Sequence, residues 1–454
     1  MNGKLVKDLT QGRVLPLLLG FAYPIMLSNM LQTAYNMVDM IVVGKYVGSA
    51  GLSAVSIGGD VMHFFAFLGM GFATAGQIIV SQYIGAGKKR ELNSVIGTLF
   101  TCVIGLGAVL SVLGVICTGM FVSLLNVPLE SQEGAYSYIM CCSAGMIFIF
   151  GYNMVSAVLR GMGDSKRPMI FIGLAAVINT VLDLLFVAVF EMGAFGAALA
   201  TVIGQGASFL LSLAYLYKNK EAFMFDFRSK SFVPDRGVAK LILKLGIPIA
   251  IQSTAGNIST LFVGSYVNTY GVAASAVTGV GHKLNSIALI VANSMNVASA
   301  AMIGQCFGAG KTDRIKKVFY TVFIVDLIFV TALSAAILAF PRQIFGIFDS
   351  SEQVLEMAGL YAPVAAISFM GFAVRSPSLG LINGLGQSKM NFAMGIVEGF
   401  VLRIGLTYLM GVVLNMGISG FWYGSAIASY GYGIVVFPYF FSGKWKDRRP
   451  AIAG

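Results

Sequence analysis

Stretches of roughly 20 apolar residues, the length an α-helix needs to cross a ~30 Å hydrocarbon core, recur about every 35 residues along this 454-residue chain. A segment inside lipid has no water to satisfy its peptide groups, so it must close its hydrogen bonds internally, as a helix. The pattern predicts twelve spans, at 14–43, 52–80, 92–118, 134–159, 168–190, 194–217, 245–269, 273–305, 317–340, 353–382, 390–412 and 417–441. Composition agrees: 57% of residues are hydrophobic and 11% charged, against about 25% charged in soluble domains. The chain reads as an all-α integral membrane protein with twelve transmembrane helices.

The two halves are copies. Gln82-Tyr-Ile-Gly-Ala-Gly-Lys88 returns as Gln305-Cys-Phe-Gly-Ala-Gly-Lys311, and Arg160-Gly-Met-Gly-Asp-Ser-Lys166 returns as Asn383-Gly-Leu-Gly-Gln-Ser-Lys389, both 223 positions on. Six spans per half start both halves on the same side, which makes the repeat parallel: two six-helix lobes related by an axis along the membrane normal. The expected division is an N-lobe at 1–217 (helices 1–6), an inter-lobe linker at 218–244, and a C-lobe at 245–454 (helices 7–12) that ends in a basic tail. The linker carries Phe223-Met-Phe-Asp-Phe227 among its charges. It reads either as a strap along the membrane surface or as a solvated connection.

A net charge of +11 would suit an anionic partner, but its placement points elsewhere. With the N-terminus cytoplasmic, all of the 30 Lys and Arg except Lys45, Lys283, Arg342, Arg375 and Arg403 fall on cytoplasmic segments. That bias is the positive-inside rule: it reports orientation, with both termini cytoplasmic in the cell membrane, and leaves nucleic-acid binding no support. The polar start Met1-Asn-Gly-Lys-Leu-Val-Lys-Asp8 gives no cleavable signal, and the first span serves as its own. The five Cys all lie inside spans and read as small apolar residues, neither disulfides nor metal ligands. Gly-Ala-Gly-Lys is not a phosphate loop, because the required upstream Gly is Gln82 in one copy and Gln305 in the other. With only His63 and His282 and no Asp-Asp-x-x-Asp cluster, the chain offers no enzyme centre: no catalytic residue, no cofactor and no resident metal are expected.

Ionisable groups inside a bilayer cost on the order of 2.5 to 3.5 kcal/mol each, so each one is a functional candidate. Five acids qualify: Asp39, Asp60, Asp183, Asp326 and Glu398, in helices 1, 2, 5, 9 and 11. Asp39 follows Tyr35 and Asn36 by one turn, and Asp183 follows Asn179 by four residues, so each carboxylate shares a helix face with polar neighbours. A buried proton or sodium site needs such oxygen ligands and little water. Neither carboxylate has a copy, since Asp39 falls opposite Phe262 or Val263 and Asp183 opposite Leu406. Pro24 removes a backbone hydrogen bond within helix 1 and is a candidate hinge, with Pro248 at the matching place in helix 7. Glu398, Arg403, Arg375 and Lys283 read as a C-lobe ion-pair network or as substrate contacts. His63, three residues after Asp60, reads as a polar helix neighbour.

These residues resemble the multidrug and toxic compound extrusion family along the chain from about residue 10 to 442. The resemblance is carried by Pro24 to Asp39, the Val-Gly-Lys-Tyr-Val-Gly that follows, the Gly-Ala-Gly-Lys turn, Arg160-Gly-Met-Gly-Asp-Ser, and Asn179-Thr-Val-Leu-Asp183, which looks like the DinF-like branch. It implies a cation site at Asp39, Asp183, Asn179, Asn153 and Thr201, with Tyr35 and Tyr138 as cavity tyrosines. The NorM-like branch uses acids of helices 7 and 10; helix 7 here has none, and helix 10 has Glu356 only near its entrance. The implied activity is secondary active efflux by a monomer, exchanging amphipathic, often cationic small molecules for protons or sodium by alternating access of the lobes. Two close carboxylates in low dielectric cannot both stay ionised cheaply, so the pair should hold a proton or sodium, which a cationic substrate would displace. The alternative is a flippase for lipid-linked polysaccharide or cell-wall precursors. That activity calls for a cavity rich in Arg and Lys, and only Lys283, Arg375 and Arg403 are available.

Overall fold

A computed structural model describes residues 6–453, and among these the regular elements are all helices. The polar start at 1–5, on which the signal reading rests, lies outside the described residues. The expected spans become α1 (Val14–Tyr46), α2 (Gly48–Gly85), α3 (Leu92–Ile116), α4 (Leu129–Ala144 and Met146–Gly161), α5 (Lys166–Val189) and α6 (Gly193–Lys218) in the first copy. The second copy supplies α7 (Arg236–Asn268), α8 (Val272–Gly308), α9 (Thr312–Ala339), α10 (Glu352–Gly384), α11 (Ser388–Val413) and α12 (Gly417–Ala428 and Gly431–Phe441). Among the described residues, ten helices are single elements long and apolar enough to cross a membrane, and α4 makes eleven if its halves, bent by 46°, count as one. The expected twelfth span, α12, is two short helices separated by Ser429 and Tyr430.

The spanning helices bury only 22% to 61% of their most apolar windows. Side chains such as Ile116, Leu261, Val272 and Ile328 point outward, more than two thirds exposed. Their outward faces would be costly in water and are at no disadvantage in lipid.

The chain forms two compact units that do not divide at the linker. One contains Tyr23–Ala250, the other Leu9–Ala22 and the residues from Ile251 onward. The division runs through α1 beside Pro24 and through α7 beside Pro248. Both helices nevertheless continue unbroken past their prolines. In the first unit, α2 packs against both segments of α4, and α6 packs against α5 and α4. In the second, α10 packs against α8 and α9, and α12 lies on α11. There the backbones nearly touch: a Cβ at Gly424 would stand 2.6 Å from the Thr407 nitrogen.

The N-terminal segment of the second unit is held by the repeated motif. Gln305 Oε1 accepts from the Leu9 amide at 2.9 Å, Lys311 Nζ donates to both oxygens of Thr10 at 3.0 Å, and Arg314 donates to the carbonyls of Leu9, Gln11 and Gly12. Lysine and arginine here satisfy carbonyls that precede the first helical turn.

Residues 218–244 belong wholly to the first unit, docked on the first turns of α3. Phe223 and Phe225 are buried, and Phe225 stacks on Phe100 with centroids 5.6 Å apart. Thr101 Oγ1 donates to the Phe232 carbonyl at 2.6 Å. The aromatic run is therefore not a fully solvated connection, because α3 offers an apolar seat for Phe223 and Phe225. Gly97 makes the approach possible, since a Cβ there would lie 1.7 Å from the Ser231 carbonyl oxygen. Gly97→Ala should therefore unseat the segment, costing about 1–3 kcal/mol of overpacking against a gain of about 1 kcal/mol in helix propensity. Limited proteolysis within 223–233 should accelerate; an unchanged cleavage rate would refute this seat.

Within the same segment the Ser231 hydroxyl, then the Arg228 amide, hold the Asp226 carboxyl below the usual carboxylate range. A depressed value contributes stability above the ordinary carboxylate range and loses it as pH falls through the lowered value. Acidification should loosen this turn in the wild type but not in Asp226→Asn, read as the ratio of their cleavage rates at each pH so that the protease's own pH dependence cancels.

Candidate functional site

The first unit gathers Tyr35 and Asp39 of α1, Tyr138 of α4, Asn179 and Asp183 of α5, and Thr201 of α6 into one polar cluster. Four residues separate Asn179 from Asp183 on α5, so both face the same way, and the helix then passes into a π-helical stretch at Leu184–Val189. Asp39 is 7% exposed, Asn179 3% and Asp183 0%. Asp39 and Asp183 are electrostatic neighbours of each other and of Tyr35, and Tyr138 lies within reach of Asp39, Tyr35 and Cys142. Asn179 Nδ2 donates to Thr201 Oγ1 at 3.4 Å.

The acceptors outnumber the donors. Asp39 Oδ1, Asn179 Oδ1 and both carboxyl oxygens of Asp183 are buried without a hydrogen-bond partner. Such groups are strongly destabilised in low dielectric unless a proton or a cation meets them. The site thus has the oxygen donors and the dryness that a proton or a sodium ion needs.

Other sequence-named residues lie elsewhere. Asn36, beside Tyr35 in sequence, is exposed. Asn153 is half-buried and lines a cavity beside Arg160, whose other lining residues include Gln32, a neighbour of Tyr35. Gln205, which the sequence reading missed, donates through Nε2 to the Tyr35 hydroxyl at 3.2 Å. Its signal was available, because Gln205 follows Thr201 by one turn on α6. Asp60 and His63 of α2 are exposed.

The second unit answers differently. Glu398 is 1% exposed and pairs with Arg403, whose Nη1 also donates to Thr260 Oγ1 at 3.3 Å. Five residues separate the pair, about 140° around an α-helix of 3.6 residues per turn. They lie on a π-helical stretch, Gly395–Ile404, whose hydrogen bonds span five residues and bring them to one side. Arg375 stacks over the Tyr432 ring at 5.4 Å within electrostatic reach of Glu398, and Gln252 Nε2 donates to the Tyr432 hydroxyl at 2.8 Å. Lys283, expected in this network, is exposed and stands over the Phe348 ring at 5.5 Å. Among the described residues no lysine or arginine meets Asp326; its neighbour is Ser376 of α10.

Removing one partner of a buried ion pair costs roughly 3–5 kcal/mol, whereas replacing both with apolar residues is often neutral. Arg403→Met should therefore lower thermal stability sharply, and adding Glu398→Leu should restore most of the loss. A double variant no more stable than Arg403→Met would show that the pair does not act as a unit.

A family model described as MatE matches residues 24–185 and again 246–409, once in each copy. The probable multidrug resistance protein YpnP of Bacillus subtilis strain 168 is 30% identical over 446 residues, 97% of each chain. The probable multidrug resistance protein YoeA of the same strain is 27% identical over 434 residues, 94% of each chain. Among solved structures, one described as MATE in complex with MaL6 superposes with a TM-score of 0.90 at 22% identity, covering 99% of this chain and 100% of the other.

Proposed function

The chain belongs to the MatE family, and from that premise we propose that it is a secondary active multidrug exporter whose coupling ion, a proton or sodium, binds in the first unit. The observation that carries this reading is the set of buried, unpartnered oxygens on Asp39, Asn179 and Asp183. Relatives named as multidrug resistance proteins support amphipathic small molecules as the exported class. The basic bias of the loops supports a cell-membrane orientation with cytoplasmic termini.

In this reading the ion's role follows from differential affinity. With both carboxylates ionised and near each other, Asp39 and Asp183 repel, and α1 is favoured in a geometry that separates them or admits a cationic substrate. A bound proton or sodium removes the repulsion and favours the other geometry. Pro24, where α1 lacks one backbone hydrogen bond, is the position at which the helix bends most easily. Thr201 and Gln205 hold Asn179 and Tyr35 in place through the hydrogen bonds that join them. Substrate and ion compete for one negative site, so their movements are opposed, and the result is antiport by alternating access. The confinement of both acids to the first copy supports the DinF-like assignment.

Asp39→Asn and Asp183→Asn should each lower substrate efflux from proteoliposomes at least tenfold (roughly 1.4 kcal/mol or more) while leaving insertion and thermal stability intact. Separately imposed proton and sodium gradients on the wild type should identify the ion that drives flux. Transport at the wild-type rate by either variant would remove the assignment.

A further inference from the structure

We infer that Arg160 and the polar cavity around it bind a small monovalent anion of halide size. The cavity, about 70 Å³, lies wholly within the first unit and is lined by Arg160, Asn153, Ser28, Asn29, Gln32 and Ser165, among others. A single water needs about 10–15 Å³ measured in this way, so the space admits a small anion with room to spare.

Charge selects the ligand. Arg160 Nε donates to Gln77 Oε1 at 3.0 Å, and among the described residues no carboxylate lies within ion-pair distance of the guanidinium. The nearest acid in sequence, Asp164, is engaged by Arg167 at 3.1 Å, and the group Arg160 senses electrostatically is the neutral Tyr152. Tyr152 spends its hydroxyl proton on the Pro168 carbonyl at 2.9 Å. A half-buried cation without a counterion is costly, and a bound anion offsets that cost. Ser165 places the cavity at the N-terminus of α5, whose dipole adds to the attraction. Two of that helix's first amides are already taken by Asp164, so the guanidinium dominates. The site belongs to one copy only, because Asn383 holds the position of Arg160 in the second.

The anion would rest against the turn of α1 from Ser28 to Gln32 that leads into Tyr35. The test is equilibrium binding of radiolabelled chloride to the full-length purified protein, with gluconate as the replacing anion, together with thermal unfolding in each salt. Saturable chloride binding and a higher Tm in chloride than in gluconate are expected, and Arg160→Gln should weaken binding roughly tenfold or more and erase the Tm difference. If Arg160→Gln does not fold, Ile25→Phe, which fills the cavity and keeps the guanidinium, should give the same loss. Absence of saturable binding by the wild type, its retention in either variant, or displacement by phosphatidylglycerol but not by bromide would overturn the assignment.

Discussion

Water is absent from the bilayer core, and the rest of this structure follows from that absence. Every peptide group must be satisfied along its own helix, so polar side chains become the only means of holding charge inside the membrane, and each must be neutralised locally. Glu398 is neutralised by Arg403, a partner encoded in the chain. Among the described residues Asp39 and Asp183 have no such partner, and Asp39 Oδ1 and both Asp183 oxygens are buried without a donor. A fixed counterion makes a structural pair; a missing one calls for a particle that can come and go. Among the described residues Asp326 of α9 in the second unit also meets no cation, but Ser376 is its neighbour and no second acid faces it, whereas Asp39 and Asp183 neighbour each other. That pairing, more than the presence of acids as such, marks the first unit as the candidate coupling site.

The repeat does more than duplicate a bundle. Each compact unit is completed by the start of a helix whose remainder belongs to the other, α1 in one direction and α7 in the other. In the second unit, Gln305, Lys311 and Arg314 grip residues 9–12 from about 300 positions away. The equivalent stretch before α7 is seated in the first unit by Gly97, Thr101 and Phe100. The Gly-Ala-Gly-Lys motif therefore anchors as well as turns. The prolines of α1 and α7 sit beside the points where each helix passes from one unit to the other, where a missing backbone bond is least costly to a helix that must serve two bodies.

Hydropathy made most of the helices legible, because lipid imposes one length and one character on every span. The bend of α4 at Gly145 and the break of α12 at Ser429 escaped it. At Gly145 the reason is tertiary: a Cβ there would stand 2.4 Å from the Val202 side chain, a contact invisible in one helix's sequence. The acids of the candidate site were legible from their rarity, and Asn179 from its spacing. Asn153 was grouped with them by resemblance, yet Arg160 lies two turns further along the same face of α4, and that periodicity pairs Asn153 with the arginine. Arg160 itself was counted as one more loop cation, since charge statistics weigh position and not burial.

The π-helical stretch of α11 carries the argument about symmetry one step further. Glu398 and Arg403 can meet because Gly395–Ile404 is wound more loosely than an α-helix. The corresponding stretch of α5 is α-helical and carries Ala175 and Thr180 at those two positions. Its own acid, Asp183, comes later, at the last α-helical residue before the π turn, with Asn179 rather than a cation on its face. The same helix in the two copies thus presents a closed charge pair in one and an open carboxylate in the other. Restoring an α-helical turn to α11 would separate its pair by more than a third of the circumference and strand a buried glutamate. The winding of the backbone, and not only the choice of residues, decides in which copy this helix carries an unpaired carboxylate.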